Sequence, residues 1–232
     1  MVKKLNVKDN TVKAKGQIRK EDGIFYLGNE NAQTKFLVLG NSILKHARLE
    51  EIGWFGDWGM AATCKKNDFI HRLYSLLKEN GFDVYIRARQ CSTWEREYMT
   101  EGIVGDFVSE RDFKPDVLVI TLGENVLPLN NEEEKKVFVE ELERLTKFMA
   151  KPTTKILFKT CVWESPSVDE GIENVAKKLG ARVANVSHLR ENPEKFFALG
   201  KFEHNGVAMH PGDEGMKEIA RVFYKTLADI LE

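Results

Sequence analysis

The chain has 232 residues, which a single α/β domain can cover while it buries a full core without disulfides or metal. Its 35 lysine and arginine residues are balanced by 36 aspartate and glutamate residues, and the formal net charge is -1. This balance argues against nucleic acid or an anionic membrane as a partner, because neither polyanion would meet a strong positive field. No segment approaches the roughly 18 apolar residues that span a bilayer. We therefore expect a soluble cytoplasmic protein.

The three cysteines, Cys64, Cys91 and Cys161, are odd in number and widely separated. They form no CxxC pair and have no nearby histidine that would complete a zinc site. Free thiols in a reducing compartment are therefore expected. The sequence gives no reason to predict a metal ion or a cofactor.

Residues 11–28 alternate apolar and polar side chains around Asp22-Gly23, a pair that tolerates the positive φ of a tight turn. This pattern predicts a β-hairpin ahead of the main fold. We accordingly divide the chain into an N-terminal β extension over residues 1–34 and an α/β domain over residues 35–232.

From residue 36 onward, short apolar runs alternate with amphipathic stretches. The apolar runs predict buried strands at residues 36–40, 83–87, 117–121, 155–160 and 182–186. The amphipathic stretches predict helices near residues 67–80, 131–150, 168–180 and 213–231. This alternation indicates parallel strands joined by helical crossovers, and hence a doubly wound sheet with helices on its faces.

Ligands of an open parallel sheet bind beyond the carboxyl ends of its strands. At such positions the chain has Ser42 after the first buried strand, Asn125 after the third, and His210 in the loop before the last helix. Acyl transfer by serine needs a base for the hydroxyl proton and donors for the charge that forms on the carbonyl oxygen. A hydroxyl, an imidazole and a primary amide suit these tasks, and all three could meet at one edge of the sheet.

Three blocks that contain these residues resemble the SGNH (GDSL-type) hydrolases, a flavodoxin-like family of esterases, lipases and carbohydrate deacetylases. The blocks are VLGNSI around Ser42, VLVITLGEN ending at Asn125, and MHPGDEGMKEIA around His210. In order and spacing they cover about residues 35–231. The resemblance implies a single-domain flavodoxin-like α/β fold, with a parallel sheet flanked by helices and the predicted β-hairpin in front of it.

The resemblance also implies a role for each matched residue. Ser42 is the expected nucleophile, and its own backbone N–H is one donor of the oxyanion hole. Asn125, which ends the Gly123-x-Asn125 motif, supplies its side-chain amide as a second donor. His210 is the expected general base, which later protonates the leaving alcohol. A glycine N–H after the second strand usually completes the hole, and Arg89 is the best-placed residue here.

The sequence departs from the family just before the histidine. The family has an aspartate three residues earlier, and this chain has Val207 there. Either His210 works in a Ser–His dyad, with a backbone carbonyl or water at Nδ1, or another acid such as Glu203 orients the ring. Spacing favours the dyad, because Glu203 would reach the ring only if the loop folded back on itself.

Each candidate also has a structural interpretation. Ser42 could cap a helix that follows its strand, Asn125 could be a turn residue, and His210 could be a loop histidine with a satisfied ring. Their presence together, in the family's order, favours the catalytic interpretation.

Residues 52–63, IGWFGDWGMAAT, hold three glycines and two tryptophans, and we expect them to form an ordered loop over the site. Packing in the core or in a lid is the simpler role for each tryptophan of the chain. Flat rings beside a deacylase site would also suit the faces of a sugar. The four tryptophans are Trp54, Trp58, Trp94 and Trp163.

The sequence therefore predicts a metal-independent serine esterase that hydrolyses small acyl esters, with an O-acetyl group on a carbohydrate as the expected substrate. The alternative is a catalytically silent protein of the same fold that binds a sugar or another ligand, which the missing aspartate favours. A phosphate-binding loop at Gly40-Asn41-Ser42 is disfavoured, because neither GxGxxG nor the P-loop pattern occurs.

Overall fold

A computed structural model of the chain describes residues 23–231. These residues form a six-stranded sheet with the order β1-β3-β2-β4-β5-β6. The strands are β1 (Ile24–Leu27), β2 (Thr34–Gly40), β3 (Val84–Gln90), β4 (Val117–Ile120), β5 (Lys155–Lys159) and β6 (Arg182–Ala184). Strands β2 to β6 are parallel, and β1 is antiparallel to β3 at the edge. Without β1, this is the flavodoxin-like strand order.

Helices connect the strands and cover both faces of the sheet. The helices are α1 (Phe69–Glu79), α2 (Ser92–Glu97), α3 (Val108–Asp112), α4 (Glu132–Met149), α5 (Pro166–Leu179), α6 (Pro193–Phe196), α7 (Asn205–Ala208) and α8 (Asp213–Leu231). Short 3-10 turns occur at Glu50–Ile52, Lys65–Asn67, Ile103–Phe107 and Ser187–Glu191. Within residues 23–231, no helix combines the length and the apolar character that crossing a bilayer demands.

Strand β2 lies between two apolar cores, one on each face of the sheet. Alternate residues of a strand point to opposite faces of the sheet. Phe36 and Val38 pack in the core that contains α1 and α8, whereas Leu37 and Leu39 pack in the core that contains α4 and α5. All four side chains are fully buried, as expected for a parallel sheet that is covered on both faces.

The five predicted strands and four predicted helices are confirmed, with one difference in length that matters for the site. Strand β3 runs to Gln90, three residues beyond its predicted end at Arg87. The apolar run stops where the polar residues begin, yet Arg87 and Arg89 both remain buried because they pair with Glu110 of α3. Such a pairing between distant residues is not visible in the local pattern.

Strand β1 corresponds to the second arm of the predicted hairpin. It pairs with β3 in the main sheet, with Ile24 opposite Arg89 and Leu27 opposite Ile86. The N–H of Gln90 donates to the carbonyl of Gly23 at 2.9 Å and extends this pairing. The first arm of the predicted hairpin lies outside the described residues.

Candidate active site

Ser42 lies just beyond β2, in a tight turn at the carboxyl edge of the sheet. The N–H groups of Leu44 and Lys45 both donate to the carbonyl of Asn41, and no helix follows this turn directly. Ser42 therefore does not act as a helix cap. Gly40 is required for the close packing, because a Cβ there would lie 2.6 Å from Thr121 Oγ1.

The hydroxyl of Ser42 meets the imidazole of His210 across the edge of the sheet. Ser42 Oγ lies 2.8 Å from His210 Nε2, and Ser42 is partly exposed. His210 Nδ1 lies 2.6 Å from the carbonyl oxygen of Gly206. A carbonyl only accepts, so Nδ1 carries the proton and donates it, which leaves Nε2 free to accept from the Ser42 hydroxyl. This tautomer is the one that a general base requires.

The imidazole of His210 is buried. Burial lowers the pKa of His210 to about 4, against the opposing effect of its hydrogen bond to Gly206. The nearby rings of His46 and His204 lower it further. The indole of Trp163 packs edge-on against the ring, with a centroid distance of 5.0 Å. The ring is therefore neutral around pH 7 and able to accept a proton.

Asn125 and Gly123 follow β4, the strand next to β2. The side-chain amide of Asn125 is bound at both ends: Nδ2 donates to Glu95 Oε2 at 2.5 Å, and Oδ1 accepts from Arg96 Nη2 at 3.0 Å. Gly123 has a φ of +142°, and a Cβ there would lie 2.8 Å from Cys161 Sγ. The N–H of Gly123 donates to Glu95 Oε1 at 2.6 Å, so this donor is engaged by a buried side chain behind the site.

A buried polar network lies behind these residues. Asn41 Nδ2 donates to two carboxylates, Glu95 Oε1 at 3.0 Å and Glu124 Oε2 at 2.7 Å. Glu124 also binds the buried ammonium of Lys159 and accepts from the N–H of Val162 at 3.1 Å. The network holds the ends of β2, β4 and β5 together, and Glu124 is one of its structural members.

No protein-family model matches the sequence, and no curated protein matches it. Solved structures do match. TesA aligns with a TM-score of 0.51 over 84% of this chain and 99% of its own, at 14% identity. A Bacteroides ovatus protein that carries the name GDSL-like lipase aligns with a TM-score of 0.52 over 84% and 98%, at 11% identity. The acetyl xylan esterase Est2A from Butyrivibrio proteoclasticus aligns with a TM-score of 0.50 over 86% and 65%, at 13% identity.

The chain has the fold of the GDSL-type hydrolases. This confirms the fold that the three sequence blocks imply. At identities of 11–14% the likeness shows the fold alone, so the roles of individual residues rest on the geometry of this site. In the GDSL-type fold of this chain, Ser42 and Asn125 follow the two neighbouring strands β2 and β4, where the strand order reverses. Ligand sites of open α/β sheets occur at this position.

Glu203 is not placed to orient His210. Its side chain is exposed, and the nitrogen that it would have to bind already donates to the carbonyl of Gly206. At the position of the family's aspartate, Val207 is fully buried in an apolar cluster with Trp54 and Met60. The geometry thus corresponds to the Ser–His pair with a backbone carbonyl at Nδ1.

Arg89 does not fit the role of an oxyanion donor. Because β3 continues through Gln90, Arg89 lies inside the sheet, opposite Leu39 of β2 on one side and Ile24 of β1 on the other. A backbone N–H between two strands points towards one of them and away from the carboxyl edge. The side chain is also engaged, since it binds Glu110.

The loop that contains the glycines and tryptophans is ordered against the Ser42 turn. It has no helix between residues 53 and 62, and the N–H of Met60 donates to the Ser42 carbonyl at 2.9 Å. Trp54 is buried in the small apolar cluster with Val207, and Trp94 is buried in the core. Trp163 is the tryptophan that contacts His210.

The sequence pattern does not predict a role for Glu95 and Arg96, the two residues that bind the Asn125 amide. They lie on the short helix α2, directly after β3, where a charged pair looks like an ordinary solvated turn. The available signal was position alone, because α2 begins at the same carboxyl edge as Ser42 and Asn125. Glu95 is only 1% exposed.

Proposed function

We propose that the protein is a serine esterase that hydrolyses small acyl esters, with an O-acetyl group on a carbohydrate as its substrate class. The observation that carries the proposal is the 2.8 Å contact between Ser42 Oγ and His210 Nε2, with Nδ1 held by a backbone carbonyl. A hydroxyl paired with a neutral, oriented imidazole is the arrangement that activates a serine nucleophile.

The geometry supports a two-step acyl transfer. His210 Nε2 takes the Ser42 proton as Oγ attacks the ester carbonyl carbon, and a tetrahedral intermediate forms. As this intermediate collapses, the protonated Nε2 gives its proton to the leaving alcohol oxygen, and an acyl ester remains on Ser42. Water then attacks the acyl carbon with the same base, and the acid leaves as the Ser42 hydroxyl is restored.

Donors for the oxyanion come from the two strand ends. We assign the Ser42 backbone N–H and the Nδ2 group of Asn125 to this role. Nδ2 has two hydrogens, and Glu95 engages one of them, so the second is available to a substrate oxygen. Asn125 is only partly buried, which leaves its amide within reach of a ligand.

The missing aspartate changes the strength of the base and not its orientation. The Gly206 carbonyl fixes the same tautomer that a carboxylate would fix, but it carries no charge to stabilise the imidazolium. The low pKa of His210 agrees with this, and a modest turnover rate is the expected consequence.

A carbohydrate ester is supported by two features. Trp163 is partly exposed and packs against His210, so its ring lies beside the proposed base. Est2A, which shares the fold, is by name an acetyl xylan esterase.

The second candidate function is a catalytically silent protein that binds a sugar. The observation that favours it is Val207, which stands where the family has its acid.

The cytoplasmic location inferred from the sequence stays a prediction. Cys64, Cys91 and Cys161 are all unpaired, which supports a reducing compartment.

Acetate release distinguishes the esterase from the silent binder. The protein would be mixed with an activated acetate ester and, separately, with an acetylated xylo-oligosaccharide. Catalytic release of acetate from both supports the proposal, and binding of the oligosaccharide without release supports the silent alternative. Ser75→Ala is a matched control, because Ser75 is an exposed serine on α1. It should keep the parent's activity.

A further inference from the structure

Two adjacent residues of α2 bind opposite ends of one side chain. Glu95 Oε2 accepts from Asn125 Nδ2 at 2.5 Å, and Arg96 Nη2 donates to Asn125 Oδ1 at 3.0 Å. The Asn125 amide thus lies between a carboxylate and a guanidinium that follow each other in the chain.

This arrangement permits one orientation of the amide. An ionised carboxylate only accepts hydrogen bonds, and a guanidinium only donates them. If the amide turned over, its oxygen would face the Glu95 carboxylate and its NH₂ group would face the Arg96 guanidinium. Both hydrogen bonds would then be lost, because an acceptor would face an acceptor and a donor would face a donor. Hydrogen bonds to charged groups are also stronger than those between neutral groups. The direction of the second N–H of Asn125 is therefore set by α2.

Glu95 also binds residues that follow strands β2 and β4, the two strands whose ends carry Ser42 and Asn125. Its Oε1 accepts from the N–H of Gly123 at 2.6 Å, from Asn41 Nδ2 at 3.0 Å and from the N–H of Asn125 at 3.4 Å. Asn41 immediately precedes Ser42. One buried carboxylate thus joins the turn that carries the nucleophile to the loop that carries the amide.

We propose that Glu95 and Arg96 are positioning residues of the oxyanion hole, which hold the Asn125 amide in the single orientation that aims its second N–H at the substrate oxygen. This inference rests on the proposed function, because it takes Asn125 as the oxyanion donor. Glu95 and Arg96 do not contact the reacting atoms in this account. They act through Asn125.

Substitution of Glu95 or Arg96 should therefore lower kcat, because the Asn125 amide would no longer be held in one orientation. Removing an oxyanion donor outright costs about 10²- to 10³-fold in kcat. Glu95→Gln keeps the size of the side chain but turns one acceptor into a donor that faces donors, so Asn125 becomes misaligned. We expect kcat to fall by about 10- to 10²-fold, a part of the full donor effect, with little change in KM. Arg96→Met should have the same direction and a smaller size.

Glu110→Gln is the matched control for Glu95→Gln. Glu110 is as buried as Glu95, but it lies on α3 and binds Arg87 and Arg89 of β3 rather than Asn41 or Asn125. Circular dichroism and thermal unfolding would check that each variant folds. If both glutamine variants unfold to a similar extent but only Glu95→Gln lowers kcat, a general loss of stability is excluded as the cause.

A double-mutant cycle with Asn125→Ala is the decisive readout. If Glu95 acts through Asn125, Glu95→Gln should add little further loss once the amide is absent. An equal loss in both backgrounds, or parent-like kcat in Glu95→Gln, would overturn the inference. If Glu95→Gln does not fold, the same cycle with the partly exposed Arg96→Met decides in the same way. A parent protein that releases no acetate would instead show that the proposed function has failed.

Discussion

The two sides of Ser42 differ sharply in chemistry. On the base side, the buried His210 is oriented by one backbone carbonyl, and the buried, uncharged Val207 lies where an acid would be expected. On the donor side, Asn125 is held by two charged groups: the buried Glu95, which also joins the strand ends, and the partly exposed Arg96. In the proposed site, a neutral backbone contact therefore orients the base, whereas charged side chains orient the amide that we assign as oxyanion donor.

The largest expected effect comes from the residue that both sides share. Ser42→Ala removes the hydroxyl and should lower kcat for an activated acetate ester by about 10⁴-fold or more, as nucleophile deletions do elsewhere. Thermal unfolding should be unchanged, because the partly exposed hydroxyl contributes little to packing. Turnover that survives in the folded variant would remove Ser42 from the mechanism.

The donor side gives the next largest effect. Asn125→Ala should lower kcat by about 10²- to 10³-fold with little change in KM, because an oxyanion donor acts mainly on charge present in the transition state. Steady-state kinetics of the variant and the parent measure this directly. A change confined to KM would place Asn125 in ground-state binding, and the contrast between the two sides would lose its basis.

The pH profile of kcat separates the two sides, because their groups titrate in different ranges. Burial, followed by the charge of Glu124, raises the pKa of Glu95 to about 7, against the hydrogen bonds from Gly123, Asn125 and Asn41. Glu95 must be ionised to hold Asn125, so kcat should fall partially as pH falls through about 7. His210 must be neutral to act as a base, so the remaining activity should disappear only near pH 4.

Other charged groups next to Glu95 do not reverse this expectation. Arg96 lies beside it on α2 and favours its ionised form, whereas Lys159 pairs with Glu124 at the end of β5. In Glu95→Gln the step near pH 7 should vanish while the step near pH 4 remains. A parent profile that is flat from pH 8 to 5 would contradict the account of the donor side.

The smallest expected effect concerns the acid that the base side lacks. Glu203→Gln should leave kcat close to that of the parent across the pH range, because Glu203 is exposed and Gly206 already occupies Nδ1. In a triad, loss of the acid has cost about 10⁴-fold, so the two outcomes are easily told apart. A collapse of kcat at every pH would show that the loop folds back in solution and that Glu203 orients the ring.

Sequence alone could predict the parts of this site that depend on strand ends. Ser42, Asn125 and His210 follow apolar runs or precede a helix, and the parallel sheet brings such positions to one edge. For the partner of His210 Nδ1, the sequence left open a backbone carbonyl, a water molecule or another acid such as Glu203, and the structure has the carbonyl of Gly206 there. Every residue has a backbone carbonyl, so the sequence does not show which carbonyl binds the ring, and the structure is needed to identify it.

The remaining errors have a common physical origin in buried charge. Arg87 and Arg89 look like the end of a strand until Glu110, more than twenty residues later, is seen to neutralise them. Glu95 likewise resembles a solvated residue until the donors of β2 and β4 surround it. Partners that are far apart in the chain are what local patterns omit.

If Ser42 is a nucleophile activated by His210, a covalent serine-directed reagent should react with it and depend on the histidine. A serine-directed fluorophosphonate would be applied to the parent, to His210→Ala and to Ser75→Ala, and the adduct would be mapped by peptide mass spectrometry. We expect an adduct on Ser42 in the parent and in Ser75→Ala, and a strongly slowed reaction in His210→Ala. An unlabelled parent, an adduct on another residue, or equally fast labelling without His210 would contradict this mechanism.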